Sequence, residues 1–335
     1  MPFNAFNSIA KLPKKTGGVP VVNWVAIGSG NTIVTSADGI TWRDSTTKGG
    51  ISSGATVAYG KDGTGAGLWV ATGPGIATST DGTNWTAVPT ASTSGFSSGS
   101  EGGIAYGKDN LSVGIWVAGG NGTNKIVTSR FGTADWLPAT SGITTCYRLA
   151  YNGVDKWVAC GDGSVLATSS NGTNWTAVPS AKLGGISLAL DVAYGNGLWV
   201  AVGSGRIVYS NTNGTDWAAA SGISGFSTFR SIAYGNELWV AVGSNYSSNQ
   251  QRAIIAYSST GSSWTTVPTG SMGGLYASGD QGSNMFSVTY GNGLWVAGGT
   301  YGSRIATSTT GTNWNAVPSN GGITTARSIA YKPPV

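Results

Sequence analysis

Residues 195–217 read GNGLWVAVGSGRIVYSNTNGTDW, and variants of this stretch occur seven times along the 335-residue chain. Each variant has a Trp-Val-Ala segment, then a segment that ends in Thr-Ser or Tyr-Ser, then a second tryptophan. In a strand, Trp199 and Ala201 would face one side while Val200 and Val202 face the other. Because both faces are apolar, we predict a sheet that is covered on both sides.

An opening segment of the type VAYG, as at residues 192–195, precedes Trp-Val-Ala in six copies. The first copy begins at Val21 and lacks it, and one further opening segment, at residues 328–332, follows the last copy. The segments balance only if the two ends of the array combine into one unit. Copies of ~40–50 residues with four short strands are typical of propeller blades. We therefore predict an all-β, seven-bladed β-propeller with four antiparallel strands per blade, closed by the strand at 328–332, which removes open edges.

The first twenty residues contain no copy of the repeat and hold three prolines, which favours an extended structure. They also hold three of the chain's 18 basic residues. We predict a basic tail over residues 1–20 and a single propeller domain over 21–335. The tail lacks the apolar region of a cleavable signal peptide.

The net charge of +5 is concentrated in that tail. Without Lys11, Lys14 and Lys15, 15 basic residues face 13 acidic ones, so the repeats carry no basic stripe for a phosphate backbone and we expect no nucleic-acid binding. No run of 18 apolar residues occurs, so we expect no membrane insertion.

The repeats are rich in Gly, Ser, Thr, Asn and Trp and contain no His, a composition typical of exposed adhesive proteins. Release of a cytosolic product by lysis would reconcile this with the missing signal peptide. We therefore expect the surface of a virion or the cell exterior, with the cytoplasm as the alternative.

Cys146 and Cys160 are the only cysteines and fall on neighbouring strands of one copy. The hairpin register makes them offset rather than opposite, and disulfide geometry is demanding. We favour two buried free thiols, with a disulfide as the alternative.

The turn before the second tryptophan, S-x-D-G-x-x-W, resembles the Asp-box (BNR) hairpin of sialidases and related propellers. It occurs as Ser36-Asp38-Gly39-Trp42 and again at residues 79–85. The Trp-Val-Ala-Val-Gly pattern is similar to repeats of bacterial, phage and large-virus propellers. This turn is one residue shorter than the usual motif, and other copies replace the acid, with Asn171, Thr212, Thr260, Thr310 and Phe131. The resemblance implies a structural role for these turns, in which a polar side chain accepts backbone N–H bonds.

Catalysis of the sialidase type would need arginines for a carboxylate, a Tyr with a Glu partner and an acid. The chain has only Glu101 and Glu237 as glutamates and marks out no carboxylate pair. The absence of His removes the commonest base and metal ligand. We expect no enzyme, no metal site and no cofactor. Candidate anion-binding residues at the mouth of the central channel are Arg148, Arg230 and Arg327, with strand-end capping as the alternative.

The sixth copy departs most from the repeat, and function on a regular scaffold tends to lie in irregular loops. Its loop at 244–253 and its connection at 268–284 should emerge on the same face, between blades six and seven. Amides and tyrosines are common in sugar and protein sites. The candidate ligand-binding residues are Tyr246, Asn249, Gln250, Arg252, Tyr276, Asp280, Gln281 and Asn284, with tolerated loop expansion as the alternative.

Longer turns at 61–67 and 108–114 should lie on the opposite face and, with the tail as an anchor, could form an attachment side. The leading interpretation is a non-catalytic interaction or adhesion protein of a virion or phage surface, with assembly subunits or a host surface as partners. A lectin with sugar sites between blades is the second, and a glycosidase the third.

Overall fold

The computed structural model describes residues 21–30, 32–98, 102–163, 165–223, 228–247, 250–275, 283–300 and 304–333, without the side chains of 246, 247, 250 and 251. The chain forms seven sheets, each a blade. The predicted seven-bladed propeller is confirmed. The predicted tail at 1–20 lies outside the described residues.

The strands follow in chain order. Blade 1 begins with β1 (Trp24–Gly30), β2 (Ile33–Ser36) and β3 (Thr41–Asp44). Blade 2 contains β4 (Thr56–Lys61), β5 (Gly67–Thr72), β6 (Ile76–Ser79) and β7 (Thr86–Ala87). Blade 3 contains β8 (Ile104–Lys108), β9 (Gly114–Gly119), β10 (Ile126–Ser129) and β11 (Leu137–Pro138). Blade 4 contains β12 (Thr145–Tyr151), β13 (Trp157–Asp162), β14 (Leu166–Ser169) and β15 (Thr176–Ala177).

Blade 5 contains β16 (Ala189–Gly195), β17 (Leu198–Gly203), β18 (Ile207–Ser210) and β19 (Ala218–Ala219). Blade 6 contains β20 (Thr228–Gly235), β21 (Leu238–Ser247), β22 (Gln250–Ser258) and β23 (Thr265–Thr266). Blade 7 contains β24 (Met285–Gly291), β25 (Leu294–Gly299), β26 (Ile305–Ser308) and β27 (Asn315–Ala316). The short β28 (Ser319–Asn320) and the closing strand β29 (Ile323–Tyr331) end the array.

The ring closes through β29, which pairs antiparallel with β1 and supplies the inner strand of blade 1. Tyr331 lies opposite Trp24, and the two ring centroids are 4.7 Å apart. The other six blades repeat this contact between their inner-strand tyrosine and their first tryptophan, as in Tyr194 and Trp199 at 4.9 Å. The count of segments in the sequence therefore predicts the closure correctly.

The core is divided into seven clusters, one between each pair of neighbouring blades. One cluster joins Val200 and Val202 of blade 5 to Trp239 and Trp264 of blade 6. The opposite face of the same strand, with Trp199 and Ala201, packs against blade 4. The two apolar faces of the strand therefore serve two different blade interfaces.

In five of the seven blades a glycine follows the inner-strand tyrosine and leaves room for the next blade. A Cβ on Gly195 would lie 2.2 Å from Cγ of Tyr234 in blade 6. The Ala-Tyr-Gly pattern is thus a packing requirement between blades.

We call the end of the ring with the connections between blades the upper face and the opposite end the lower face. Three 3₁₀ turns follow prolines in those connections, at Thr90–Ser92, Ser180–Lys182 and Thr269–Ser271. No helix in the described ranges has the length and hydropathy to cross a membrane.

Candidate functional site

The inner strands of five blades contain a β-bulge near the upper face. In β20, Phe229 lies opposite Gly243 and Ser231 opposite Val242, so Arg230 is the extra residue. A bulge changes the direction of the side chain it carries. The extra residues of the five blades are Tyr147, Leu190, Arg230, Phe286 and Arg327.

Arg230, Phe286 and Arg327 belong to three successive blades. The guanidinium carbon of Arg230 lies 5.3 Å from the Phe286 ring centroid, and that of Arg327 lies 5.6 Å from it. Both distances are within the range of a cation–π interaction. The upper mouth of the channel therefore has two guanidinium groups against one aromatic ring.

A polar cavity of about 150 Å³ lies beside this group. Its lining includes Arg148, Asp191, Phe286 and Arg327, but not Arg230. Of the three predicted arginines, two thus line the cavity and the third stacks on a lining residue. Phe286 was missed as a site residue, although it stands four residues before Tyr290, as Arg230 does before Tyr234.

The position after the bulge forms a ring of polar side chains that join neighbouring blades. Ser287 Oγ accepts a hydrogen bond from the Ile329 N–H at 3.0 Å. Ser231 Oγ and Ser328 Oγ accept from Val288 and Val57 in the same way. These hydroxyls satisfy buried backbone donors between blades, which would be costly to leave unpaired.

Arg148 and Asp191 occupy the same ring position in blades 4 and 5. Asp191 Oδ2 accepts the Ile232 N–H at 3.0 Å, while Arg148 Nη1 donates to the Gly102 and Tyr147 carbonyls at 2.8 Å. Burial raises the pKa of Asp191 above its usual value, although the positive charge of Arg148 opposes the effect. The cavity is therefore lined by cationic groups and one acid whose ionisation is disfavoured.

The predicted loop of blade 6 is largely a β-hairpin. β21 and β22 stay paired up to Ser247 and Gln250. Residues 244–247 and 250–253 thus extend the sheet on the upper face, because each residue of one segment pairs with one of the other.

The structure describes the side chains of two of the eight candidate residues there. Arg252 is exposed and lies opposite Asn245 in the hairpin. Asn284 is half-buried and its carbonyl accepts the Thr300 N–H at 2.9 Å. Asn249, Tyr276, Asp280 and Gln281 lie outside the described residues, as do the side chains of Tyr246 and Gln250, so the predicted ligand site stays a prediction.

The turns before the second tryptophans share a bond from the glycine N–H to the serine hydroxyl on the lower face, and in six blades a polar side chain accepts further N–H bonds. Ser79 Oγ accepts the Gly82 N–H at 2.8 Å, and Asp81 Oδ1 accepts the N–H groups of Thr83 and Asn84, both at 2.8 Å. The Trp85 indole N–H donates to the Gly82 carbonyl at 3.0 Å. The indole bond to a turn glycine recurs in all seven blades.

The lengths of the hydrogen bonds in this turn differ with the residue in the acidic position. Thr260 Oγ1 accepts the Ser262 and Ser263 N–H groups at 3.3 and 3.2 Å, which is longer than the bonds to Asp81. Burial opposes ionisation of Asp81, but the N–H bond from Asn84 and further hydrogen bonds outweigh it and lower its pKa. The carboxylates in these turns therefore act as backbone acceptors.

Cys146 and Cys160 are both free and buried. Cys146 lies opposite Gly161, whereas Cys160 lies opposite Arg148, which confirms the offset. Burial raises the pKa of Cys146 to about 12 and that of Cys160 well above its usual value. The predicted free thiols are confirmed, and burial keeps them protonated.

In the described part of the chain, no group of three His, Cys, Asp or Glu side chains is arranged to hold a metal ion.

A scan against protein-family models finds no match, and a search of curated proteins finds none either. Solved structures do match. The GH74 enzyme of Niastella koreensis is 14% identical with a TM-score of 0.55, and the match covers 92% of this chain. This chain spans only 55% of that enzyme's length.

Two further matches are the computationally designed Ika8 protein and YCF48 from Cyanidioschyzon merolae. Ika8 is 14% identical with a TM-score of 0.56, covering 95% of this chain and 92% of its own. YCF48 is 12% identical with a TM-score of 0.50, covering 79% and 85%. At such identities the matches show the propeller fold alone.

Proposed function

We propose that this chain is a non-catalytic interaction propeller that binds an acidic group of a protein or glycan at its upper face. The observation that carries this proposal is the cavity at the channel mouth, lined by Arg148 and Arg327 beside Phe286. Guanidinium groups form strong charge-assisted hydrogen bonds with carboxylates, phosphates and sulfates. The neighbouring hairpin of blade 6 supplies additional surface on the same side.

The same lining argues against a glycosidase. Two-carboxylate hydrolysis requires a pair of acids about 5 to 10 Å apart. Among the described residues that line the cavity, Asp191 is the single acid, and its carboxylate already accepts N–H bonds from Val192 and Ile232. A carboxylate held in this way supports the blade interface.

The partner would be a subunit of a larger assembly or a host surface, and we propose a location on a virion, a phage or the cell exterior. The support for this part is the composition, which is rich in Gly, Ser, Thr and Asn and poor in charge. We also propose that the turns before the second tryptophans are degenerate Asp-boxes with a structural role, since their Ser and Asp oxygens accept backbone N–H bonds.

Binding to an array of neutral, carboxylated and sulfated glycans and acidic peptides tests the upper-face site. We expect retention of acidic probes and a loss of about tenfold or more for Arg327→Ala, because a hydrogen bond to a charged group contributes about 1.5 to 3 kcal/mol. Arg43→Ala, an exposed arginine of blade 1, is the matched control. Equal binding by Arg327→Ala and the unaltered chain would exclude this site.

The lectin alternative predicts several weak, similar sites for neutral sugars. If calorimetry detects no binding of neutral sugars, this alternative is excluded. The location has its own test, which is mass spectrometry of purified particles from the source. Absence of the chain from the particles would exclude the virion interpretation.

A further inference from the structure

The exposed large apolar side chains of the described residues are concentrated in blade 3. Leu111 is 74% exposed, Val113 46%, Phe131 46% and Leu137 62%. We call these four residues the blade-3 patch. Blades 5 to 7 have no exposed large apolar residue within their described ranges, so the patch is a local feature and no general property of the repeats.

One carboxylate links the two turns that carry Leu111, Val113 and Phe131. Asp109 Oδ1 accepts the N–H groups of Leu111 and Val113, each at 2.9 Å. Its second oxygen, Oδ2, pairs with Arg130 Nη2 at 2.6 Å. One carboxylate thus ties the 108–114 turn to the turn that carries Phe131.

Phe131 stands where blades 1 and 2 have Asp38 and Asp81. Its neighbour Ser129 still accepts the Gly132 N–H at 2.9 Å, so the turn is retained while the acidic acceptor is replaced by an exposed ring. The Phe131 ring packs on the blade 2 turn, where a Cβ on Gly63 would lie 2.4 Å from Phe131 Cδ1.

Two clefts flank the Phe131 ring. The first has a volume of about 320 Å³ and includes Asp62, Tyr106 and Val113 in its lining. The second has a volume of about 240 Å³ and includes Asp135 and Leu137. Each cleft therefore combines apolar walls with a carboxylate, and Arg130, which pairs with Asp109, lines both clefts.

Residues 22 and 23, which follow the segment 1–20 in the sequence, lie on the same lower face. Val22 packs against the blade 2 turn, where a Cβ on Gly82 would lie 2.7 Å from Val22 Cγ1. The Lys332 N–H donates to the Asn23 carbonyl at 2.7 Å, so residue 23 lies beside the lower end of the closing strand. Twenty residues span at most about 65 to 70 Å, which exceeds the ~50 Å diameter expected for a domain of this size. The segment is thus long enough to reach blade 3.

The composition of this segment matches the clefts. Phe3, Phe6, Ile9 and Leu12 recur at every third position, a spacing that aligns side chains along one face of an extended three-residue-per-turn chain. The segment's three lysines, with no acid among residues 1–20, are opposite in charge to Asp62 and Asp135, while the charge of Arg130 is balanced by Asp109.

We propose that residues 1–20 dock on the blade-3 patch of their own propeller, with apolar side chains in the clefts on both sides of Phe131. A tether of this length gives an effective concentration in the millimolar range, which favours the same molecule over a second copy. The docked segment covers surface on the face opposite the channel mouth. A result that refutes this docking therefore leaves the proposed function untouched, and the reverse also holds.

Paramagnetic relaxation measured on the full chain tests the proposal. A thiol-reactive spin label modifies the introduced cysteine of Ser8→Cys selectively, because Cys146 and Cys160 are buried. We expect the Leu111 and Gly132 amide peaks to lose most of their intensity, while those around Ile40, an exposed apolar residue of blade 1, keep theirs.

Phe131→Asp is the decisive variant because it restores the residue type of blades 1 and 2 and should fold. It should abolish the broadening at Leu111, whereas Ile40→Asp should leave it intact. The proposal would be overturned by unchanged broadening at Leu111 in Phe131→Asp, or by no broadening there in the labelled chain that keeps Phe131. A second sample mixes isotope-enriched chain without a spin label with spin-labelled chain that is not enriched. Broadening at Leu111 in this mixture would assign the contact to a second copy and overturn docking within one molecule.

Discussion

The lower ends of blades 2 to 4 and of blades 5 to 7 make the same chain reversal in two different ways. In blades 5 to 7 it takes two residues with positive φ, as in Asn196 at 48° and Gly197 at 76°. This is the type I′ hairpin, which matches the twist of the strands. In blades 2 to 4 the turn is longer and wraps around one side-chain oxygen, which belongs to Asp62, Asp109 or Asn152.

The comparison shows which turns of the propeller expose side chains for contact with other molecules. The two-residue turns carry only Asn, Gly and Glu, whereas the longer turns carry Leu111, Val113 and Val154 in exposed positions. In blade 6 the extension is on the upper face, as the β21–β22 hairpin. The departures from the repeat therefore lie on the lower face in blades 2 to 4 and on the upper face in blade 6.

The largest expected effect is the loss of stability when the long turn of blade 3 is altered. Asp109→Ala should lower the free energy of unfolding by about 2 to 3 kcal/mol, because it removes two N–H acceptors and the partner of Arg130 at once. Asn196→Ala, in a two-residue turn, should cost only about 1 kcal/mol. Urea unfolding measures both, and equal losses would contradict the distinction between the two turn types.

The second prediction concerns the hydrogen bonds that join neighbouring blades at the channel. Ser287→Ala leaves the buried Ile329 N–H without its acceptor and should cost about 1 to 2 kcal/mol. Thr56→Val is the matched control in blade 2. Thr56 donates a hydrogen bond to the Gly102 carbonyl, which also accepts one from Arg148 Nη1. Because this carbonyl keeps a partner in Thr56→Val, we expect a smaller loss of stability for that variant. Thermal unfolding of both variants should rank Ser287→Ala as the less stable.

The third prediction is a gain in stability within the two-residue turns. Glu237 has φ of 58° where the equivalent positions are Gly197 and Gly293. A side chain in this region costs about 1 kcal/mol or more, so Glu237→Gly should stabilise the fold by about 0.5 to 1 kcal/mol. Gly293→Glu should have the opposite effect. A fall in the midpoint of urea unfolding for Glu237→Gly would refute this account of the turn.

The smallest expected effect is a difference in acid sensitivity around the ring. Burial opposes ionisation of Asp38 and Asp81, but backbone N–H bonds prevail and hold their pKa values below the ordinary 3.8. Below about pH 4 the unfolded chain therefore binds more protons than the folded chain, and this stabilisation is lost as the pH falls. Blades 6 and 7 have Thr260 and Thr310 there, which do not titrate.

Amide hydrogen exchange checks this difference. Protection of the Thr83 and Asn84 amides should fall as the pH drops through this range, after correction for the intrinsic rate, while that of Ser262 and Ser263 should not. In Asp81→Asn the fall at Thr83 should disappear, since Asn171 makes the same bonds in blade 4. An unchanged fall in that variant would assign the acid sensitivity to another group.

The candidate site was only partly predictable from the sequence. Arg230 and Arg327 were recognisable because both stand four residues before a repeat tyrosine. Phe286 holds the same position, but its contact with both arginines depends on bulges in three different blades. The polar residues of the 244–253 stretch break the repeat and predict a loop, whereas cross-strand pairing continues the sheet as far as Ser247 and Gln250.

The sequence by itself determined the number of blades, the four strands in each and the closure at residues 328–332. These follow from spacing and apolar alternation, because every copy brings its own paired strands and its own two buried tryptophans. Only the tertiary structure decided which irregular residues meet. Phe131 lies against Gly63, and Arg327 against Phe286, because neighbouring blades pack side by side and bulges redirect side chains. Such contacts depend on the relative positions of blades, which no single copy of the repeat encodes.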